Sequence, residues 1–294
     1  MRILSIDGGG IRGLLPALVL AEFETRTGRS VAKFFDLVAG TSTGGILALG
    51  LAAGIPAMRL AEFYLERGPA IFSRSLGQRL SSLGGLADEL YDAGELEVAL
   101  AEVFGDRLLS SVETRALAVA FDIEARERVL FRSWAGEDYR LADVGRATSA
   151  APVYFEPFPI RSQSGRVRPC IDGGMVANNP SLLAFTEAEG PHYLVSMGTG
   201  RRDRPILYAD ARDFGAAQWT SHLIDIVFSG QAEEAHLACR AWLGGNYVRL
   251  QADLPEEVAM DATDARAFAV LKLAAKRLAD SPEAARALEL AGAA

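Results

Sequence analysis

The chain has 294 residues, 50% of them apolar, and a formal net charge of −8. It is long and apolar enough to bury a full core, which excludes a disordered chain and a miniature fold stapled by disulfides. The acidic balance excludes a general binder of nucleic-acid polymers and gives no overall attraction to anionic lipid, leaving only local basic patches for that work.

Met1 leads straight into the strand-like RILSI, with no charged, apolar and small-residue segments of a leader in front of it. No uninterrupted apolar run reaches the about 18 residues of a spanning helix. The expectation is a cytoplasmic chain whose membrane contact is peripheral. Cys170 and Cys239 stand far apart without a C-x-x-C pairing, so they signal neither a disulfide nor a zinc site and are expected as buried thiols.

In chain order, short runs rich in Val, Ile, Leu and Phe predict strands at 2–6, 34–39, 115–121, 128–132, 168–171 and 193–197, alternating with helix-period segments. That alternation predicts an α/β fold with a mainly parallel sheet covered by helices. The spacing of Leu14, Leu18 and Leu20 to Phe23 predicts an amphipathic helix ended at Gly28. The strands at 115–121 and 128–132, separated by a short polar segment, are either a hairpin or a crossover pair. Residues 67–94 are rich in Gly and Ser with weak periodicity, as in a lid or surface excursion. Beyond about 210 the reading is helical, with Thr263 and Ser281 as N-caps and Pro282 at a first helical position. No domain boundary is visible, so residues 1–294 read as one domain, with a motif-bearing core over about 2–200 and a helical part over about 210–294.

Four predicted strands run into Gly-containing turns: SIDGGGIRG (5–13), AGTSTGG (39–45), CIDGG (170–174) and SMGTG (196–200). Ligands of a parallel sheet bind at the carboxyl ends of its strands, so these turns are expected to converge on one crevice. Gly40 and Gly44 flank Ser42 in the G-x-S-x-G pattern of a nucleophile elbow, with a helix N-terminus behind it. The glycines of the first loop, Gly8, Gly9, Gly10 and Gly13 with Arg12 among them, also satisfy G-x-G-x-x-G, a dinucleotide fingerprint. The second strand, however, ends in Ala39 and Gly40 rather than in the acid that a ribose requires. The preferred reading is an oxyanion hole, in which glycine amides approach a carbonyl oxygen without a Cβ in the way. Ser30-Val31-Ala32-Lys33 matches S-x-x-K, but it precedes its strand and the companion motifs are missing.

A serine nucleophile needs a base, and the three histidines, His192, His222 and His236, do not supply one. His192 begins its strand, away from the crevice, and the other two lie in the helical part without a recognisable acidic partner. Asp172, at the end of its strand and followed by two glycines, either meets the serine hydroxyl directly or is a turn residue. As a base it requires desolvation to lift it from a pKa near ~3.9.

Taken together, DGGGIRG, GTSTG and DGG, with ATSAAPVYFEP (147–157), NNP (178–180) and GTG (198–200), resemble the patatin-like phospholipase family over about residues 2–200. The resemblance implies a three-layer α/β/α sandwich, Ser42 as nucleophile, Asp172 as its base and an oxyanion hole of backbone amides near Gly9 and Gly10. It implies hydrolysis of acyl esters of membrane phospholipid with no metal and no cofactor. The stretch at 48–72 is also similar to bacterial members that a cyclic nucleotide switches on in antiphage defence. A dinucleotide-dependent oxidoreductase and a non-catalytic lipid-binding protein are the competing classes. The apolar and basic residues between Gly68 and Leu90, among them Phe72, Arg74, Leu76 and Arg79, either rest in the headgroup boundary of a lipid surface or pack on the core with their arginines solvated.

Overall fold

Neighbouring residues of the central strands bury their side chains on opposite faces of one sheet. In the computed structural model, which describes residues 1–73, 89–190, 192–201 and 205–293, Leu4, Ile6, Val38, Ala118, Val195 and Met197 belong to one apolar cluster. Ile3, Leu37, Ala39, Leu117, Val119 and Leu194 belong to a second. A sheet buried on both faces must be covered on both, and this is why the strands read as continuous apolar runs.

The described strands are β1 (Arg2–Ile6), β2 (Leu37–Thr41), β3 (Arg115–Asp122), β4 (Glu127–Arg132), β5 (Phe158–Arg161), β6 (Val167–Asp172), β7 (Tyr193–Met197) and β8 (Tyr247–Leu250). Their order is β5-β6-β3-β2-β1-β7-β8, with β4 paired to β3. From β3 through β8 the sheet is parallel, whereas β4, β5 and β6 pair antiparallel. The larger layer carries α1 (Leu14–Thr27), α2 (Thr43–Ala52), α3 (Ala57–Ile71), α4 (Gly94–Phe104) and α5 (Leu141–Thr148). The opposite, thinner layer is α6 (Ser181–Glu187) and α7 (Ala216–Leu243), whose Leu183, Ala184 and Cys239 cover the second cluster. Two last helices, α8 (Ala265–Ala279) and α9 (Pro282–Leu290), return to the larger layer. The result is a three-layer α/β/α sandwich with a mixed, mainly parallel sheet.

Several expectations change. The second strand begins at Leu37, not at residue 34: Phe34 and Phe35 are buried, but pairing with β1 starts only where the Asp36 N–H reaches Arg2 O. β3 and β4 are a hairpin. β5 carries Pro159 beside Pro157, a signal against a strand except at an edge, which is where it lies. β8 lies inside the stretch read as helical, because four residues are too few to show a period. Asp264 rather than Thr263 caps α8, accepting from the Arg266 and Ala267 N–H groups. Ser281 caps α9 as expected, accepting from Ala284 N–H at 3.1 Å, and Gly28 ends α1 with φ 65°. Both cysteines are buried free thiols.

Candidate active site

Ser42 sits between β2 and α2 with φ 54° and ψ −125°, a conformation that costs an L-residue energy and is held by its surroundings. The turn closes only because Gly40 and Gly44 lack side chains: a Cβ on Gly40 would lie 1.9 Å from Gly44 O, and one on Gly44 would lie 2.2 Å from Ile6 O. The Ser42 N–H donates to Thr148 Oγ1 at 3.0 Å, and the Thr148 hydroxyl donates onward to Val119 O. Thr148 thus ties the strained turn to β3.

Asp172 reaches Ser42 by a route that differs from the expected one. β6 runs antiparallel to β3, so Asp172 does not sit at the carboxyl edge of a parallel strand. Residues 115–119 of β3 pair with β2, and residues 120–122 pair with β6. β4 pairs with residues 117–122 throughout, so β2 and β6 share the other edge of β3 end to end. Thr41 lies opposite Val119 and Asp172 opposite Ala120, which brings the end of β6 against the elbow. The turn is fixed by Asp172 N–H to Ala150 O at 2.9 Å. The segment 148–150 therefore anchors both the serine and the aspartate.

The Asp172 carboxyl is fully buried. Burial raises its pKa to about 7, against the lowering pulls of the Ser42 hydroxyl and the Gly174 N–H. Its Oδ1 accepts from Gly174 N–H at 2.7 Å, while Oδ2 has no partner in hydrogen-bond geometry. The Ser42 hydroxyl is near enough to act on that pKa without yet being bonded, and such contacts tighten when substrate binds. Both residues open on one apolar cavity, walled by Ile46, Phe63, Ile71, Phe72, Phe155 and Phe228.

Gly9 and Gly10 line the same cavity. Of the amides expected to form the oxyanion hole, Gly8 N–H is already donated to Asn178 O and Arg12 N–H to Gly9 O. Gly13 lies within the 3-10 turn Gly10–Gly13, packed so that a Cβ would meet Thr43. The amides of Gly9 and Gly10 have no internal acceptor among the described residues. Ile11 N–H is bonded to Met260 O, and this places the C-terminal part of the chain against the loop.

None of the three histidines lines the cavity. His192 packs edge-on against Phe185, His222 stacks on Phe214, and His236 Nδ1 shares a hydrogen bond with Tyr247 OH. Of the two readings for the segment after Gly68, Phe72 takes the packed one: it is half-buried in the cavity wall, with its ring 5.4 Å from Tyr91 and 6.1 Å from Phe155. Arg74, Leu76 and Arg79 lie outside the described residues. Among the described residues no group of His, Cys, Asp and Glu could hold a metal ion, and no helix is long and apolar enough to cross a membrane.

Two segments had no role assigned from the sequence. Thr148 and Ala150 lie in the ATSAAP motif, whose position was legible but whose function was not. Phe228 of α7 places its ring over Gly174, where a Cβ would come within 2.6 Å of it, and Gln231 Nε2 donates to Met175 O at 3.0 Å. Nothing local in a long helix tells that it will close an active site.

A family model for patatin-like phospholipases matches residues 4–185. A cGAMP-activated phospholipase of Pseudomonas aeruginosa (strain BWHPSA011 / Pa011) is 35% identical over 263 residues, covering 84% of this chain and 77% of that protein. A cGAMP-activated phospholipase of Escherichia coli (strain TW11681) is 28% identical over 299 residues, covering 90% and 83% respectively. Patatin-like protein 4 of Arabidopsis thaliana is 29% identical over 333 residues, covering 95% and 83%. The chain therefore belongs to the patatin-like phospholipase family and is a lipid acyl hydrolase.

Proposed function

We propose that this protein cleaves an acyl ester of membrane phospholipid through a Ser42–Asp172 dyad, working as one domain over residues 1–294 in the cytoplasm with peripheral contact to the membrane. One observation carries the reading: a strained serine and a fully buried carboxyl with a pKa near 7 share an apolar cavity with the unoccupied Gly9 and Gly10 amides. The acyl chain lies along the phenylalanine wall and its carbonyl carbon faces Ser42. Asp172 accepts the hydroxyl proton as Ser42 Oγ bonds to that carbon, and the oxygen that gains charge is met by the Gly9 and Gly10 N–H groups. Collapse breaks the C–O bond, and the departing alcohol takes the proton from Asp172. Water then repeats the sequence on the acyl-serine, releasing fatty acid and restoring both side chains. An aspartate at its ordinary pKa would be too weak a base for a hydroxyl; desolvation is what equips it.

Two of the relatives are named as activated by cGAMP. On that likeness a cyclic nucleotide is the expected activator, in a defence role. A fluorophosphonate probe followed by mass spectrometry tests the chemistry: the adduct is expected on Ser42, and labelling elsewhere or nowhere, with or without cyclic dinucleotide, would remove the dyad. Release of fatty acid from phospholipid vesicles, compared across cyclic dinucleotides, tests the activator. Equal release with every ligand and with none would exclude it.

A further inference from the structure

α7 runs from the crevice edge of the sheet to the opposite edge: it ends at Leu243, and β8 begins at Tyr247 opposite Leu194, near the amino end of β7. It meets the cavity at Phe228. Residues 216–227 precede that contact and extend roughly 18 Å beyond it at about 1.5 Å per residue. Among their described side chains none is fully buried, and Phe228 is the first that is. This overhanging half exposes Trp219, Leu223 and Ile226, which at spacings of four and three residues share one face of the helix. Phe228 points the other way, into the site. The preceding segment leaves the crevice edge after β7 and adds exposed Leu207 and Tyr208. Its Phe214 packs against Trp219 and His222, fixing it to the helix.

We propose that this face, Trp219, Leu223 and Ile226 with Leu207 and Tyr208, is the surface that the protein lays on a phospholipid bilayer. The inference rests on the phospholipid reading of the site and replaces the lipid-contact reading around Phe72, a residue the fold uses as cavity wall. Large apolar side chains gathered at one edge mark an interaction surface rather than the scatter of an ordinary exterior. A bilayer is the occupant that the position favours, because the helix that carries the face starts at the crevice edge of the sheet and itself lines the cavity through Phe228, so docking would set the lipid surface beside the site. Tryptophan and tyrosine suit the headgroup boundary, with an apolar body and a polar tip. The contact is apolar and the chain carries a net charge of −8, so added salt, which screens repulsion from anionic lipid, is expected not to weaken it.

The test uses the full chain carrying Ser42→Ala, so that vesicles of phosphatidylethanolamine and phosphatidylglycerol survive, and measures co-flotation with and without Leu223→Gln and Ile226→Gln. Burying two such side chains predicts that the double substitution weakens binding at least about tenfold, with no loss of parent binding on added salt. In the Ser42 background, hydrolysis of a soluble short-chain ester is expected to be unchanged by the pair. Unaltered flotation would overturn the proposal. So would a parent whose mass doubles in light scattering without vesicles and reverts in the double variant, since the face would then join two copies. If the soluble ester is not cleaved by the Ser42 chain, the chemical reading fails, while flotation still reports on the surface.

Discussion

Asp7 and Asp172 share a sequence setting: Asp7 directly follows a strand and Asp172 closes one, each is followed by Gly-Gly, and each is buried. Their surroundings differ. Asp7 is gripped by the Arg249 guanidinium, which donates to both carboxylate oxygens and also to Ser196 Oγ. Burial raises the Asp7 pKa, and the cation beside it opposes that rise. Among the described residues Asp172 has no cation beside it; its bonded partner there is the Gly174 N–H, and burial carries its pKa to about 7. The same tripeptide thus gives a charge-paired strut in one place and a carboxyl with a raised pKa, the proposed base, in the other. The difference lies in what the fold sets opposite each carboxyl.

The largest effect that could break this contrast is a pair of isosteric substitutions. Asp172→Asn is expected to cut turnover about 10⁴-fold, in the range of Ser42→Ala, with the fold intact because the amide oxygen still accepts from Gly174 N–H. Asp7→Asn is expected to do the reverse: it strands a buried guanidinium, which costs about 3–5 kcal/mol and lowers the melting temperature by roughly 10 °C. Turnover per folded molecule should be largely retained. Kinetics and thermal melts on both variants decide it, and an inactive but fully stable Asp7→Asn would show that the strut has a chemical role.

Next in size is the displacement of an oxyanion donor. A Cβ on Gly9 would lie 2.2 Å from Thr199 Oγ1, and one on Gly10 2.2 Å from Met260 O at φ 57°. Either Gly→Ala change is expected to lower kcat by about 10²-fold or more with KM little altered. A raised KM with intact kcat would mean that the loop holds the ground state instead.

The pH dependence sharpens the contrast further. A base with a pKa near 7 predicts that kcat/KM rises about tenfold per pH unit below that value and levels off above it. Stability moves oppositely. The folded carboxyl stays protonated where the unfolded one, with a pKa of 3.8, ionises; its contribution is therefore full below 3.8 and is lost as pH rises through about 7. Asp172→Asn is accordingly expected to gain up to roughly 4 kcal/mol over the parent above pH ~7. Melting curves of the two chains between pH 5 and 8 should diverge, and parallel curves would mean an ordinary carboxyl.

The smallest expected effect concerns the anchor of the elbow. Thr148→Val keeps the shape but leaves the buried Ser42 N–H without an acceptor, a loss of about 1–3 kcal/mol. Turnover is expected to fall about tenfold. A variant with full turnover would show that β2 and α2 alone impose the serine's backbone angles.

Much of this was legible in the chain because it is local. Six of the strands, one with its start moved to Leu37, the turn at Ser42, the glycine loop and the end of α1 at Gly28 depend on residues within a few positions of one another, through apolar period, positive φ or close backbone approach. The pairing partners were not legible. Nothing near Asp172 tells that β6 runs against β3 and takes over its edge where β2 leaves off. Nothing near Asp7 points to an arginine 242 residues away.

By itself, then, the sequence determined an α/β fold and a tight strand-turn-helix with Ser42 at its apex, since each follows from residue type and short-range geometry. The tertiary structure alone decided which of two buried aspartates has no cation and which two glycine amides have no acceptor among the described residues, and that Phe72 and Phe228 wall the cavity. Those properties are sums over partners distant in sequence. Desolvation, hydrogen-bond occupancy and exposure exist only once the chain has packed.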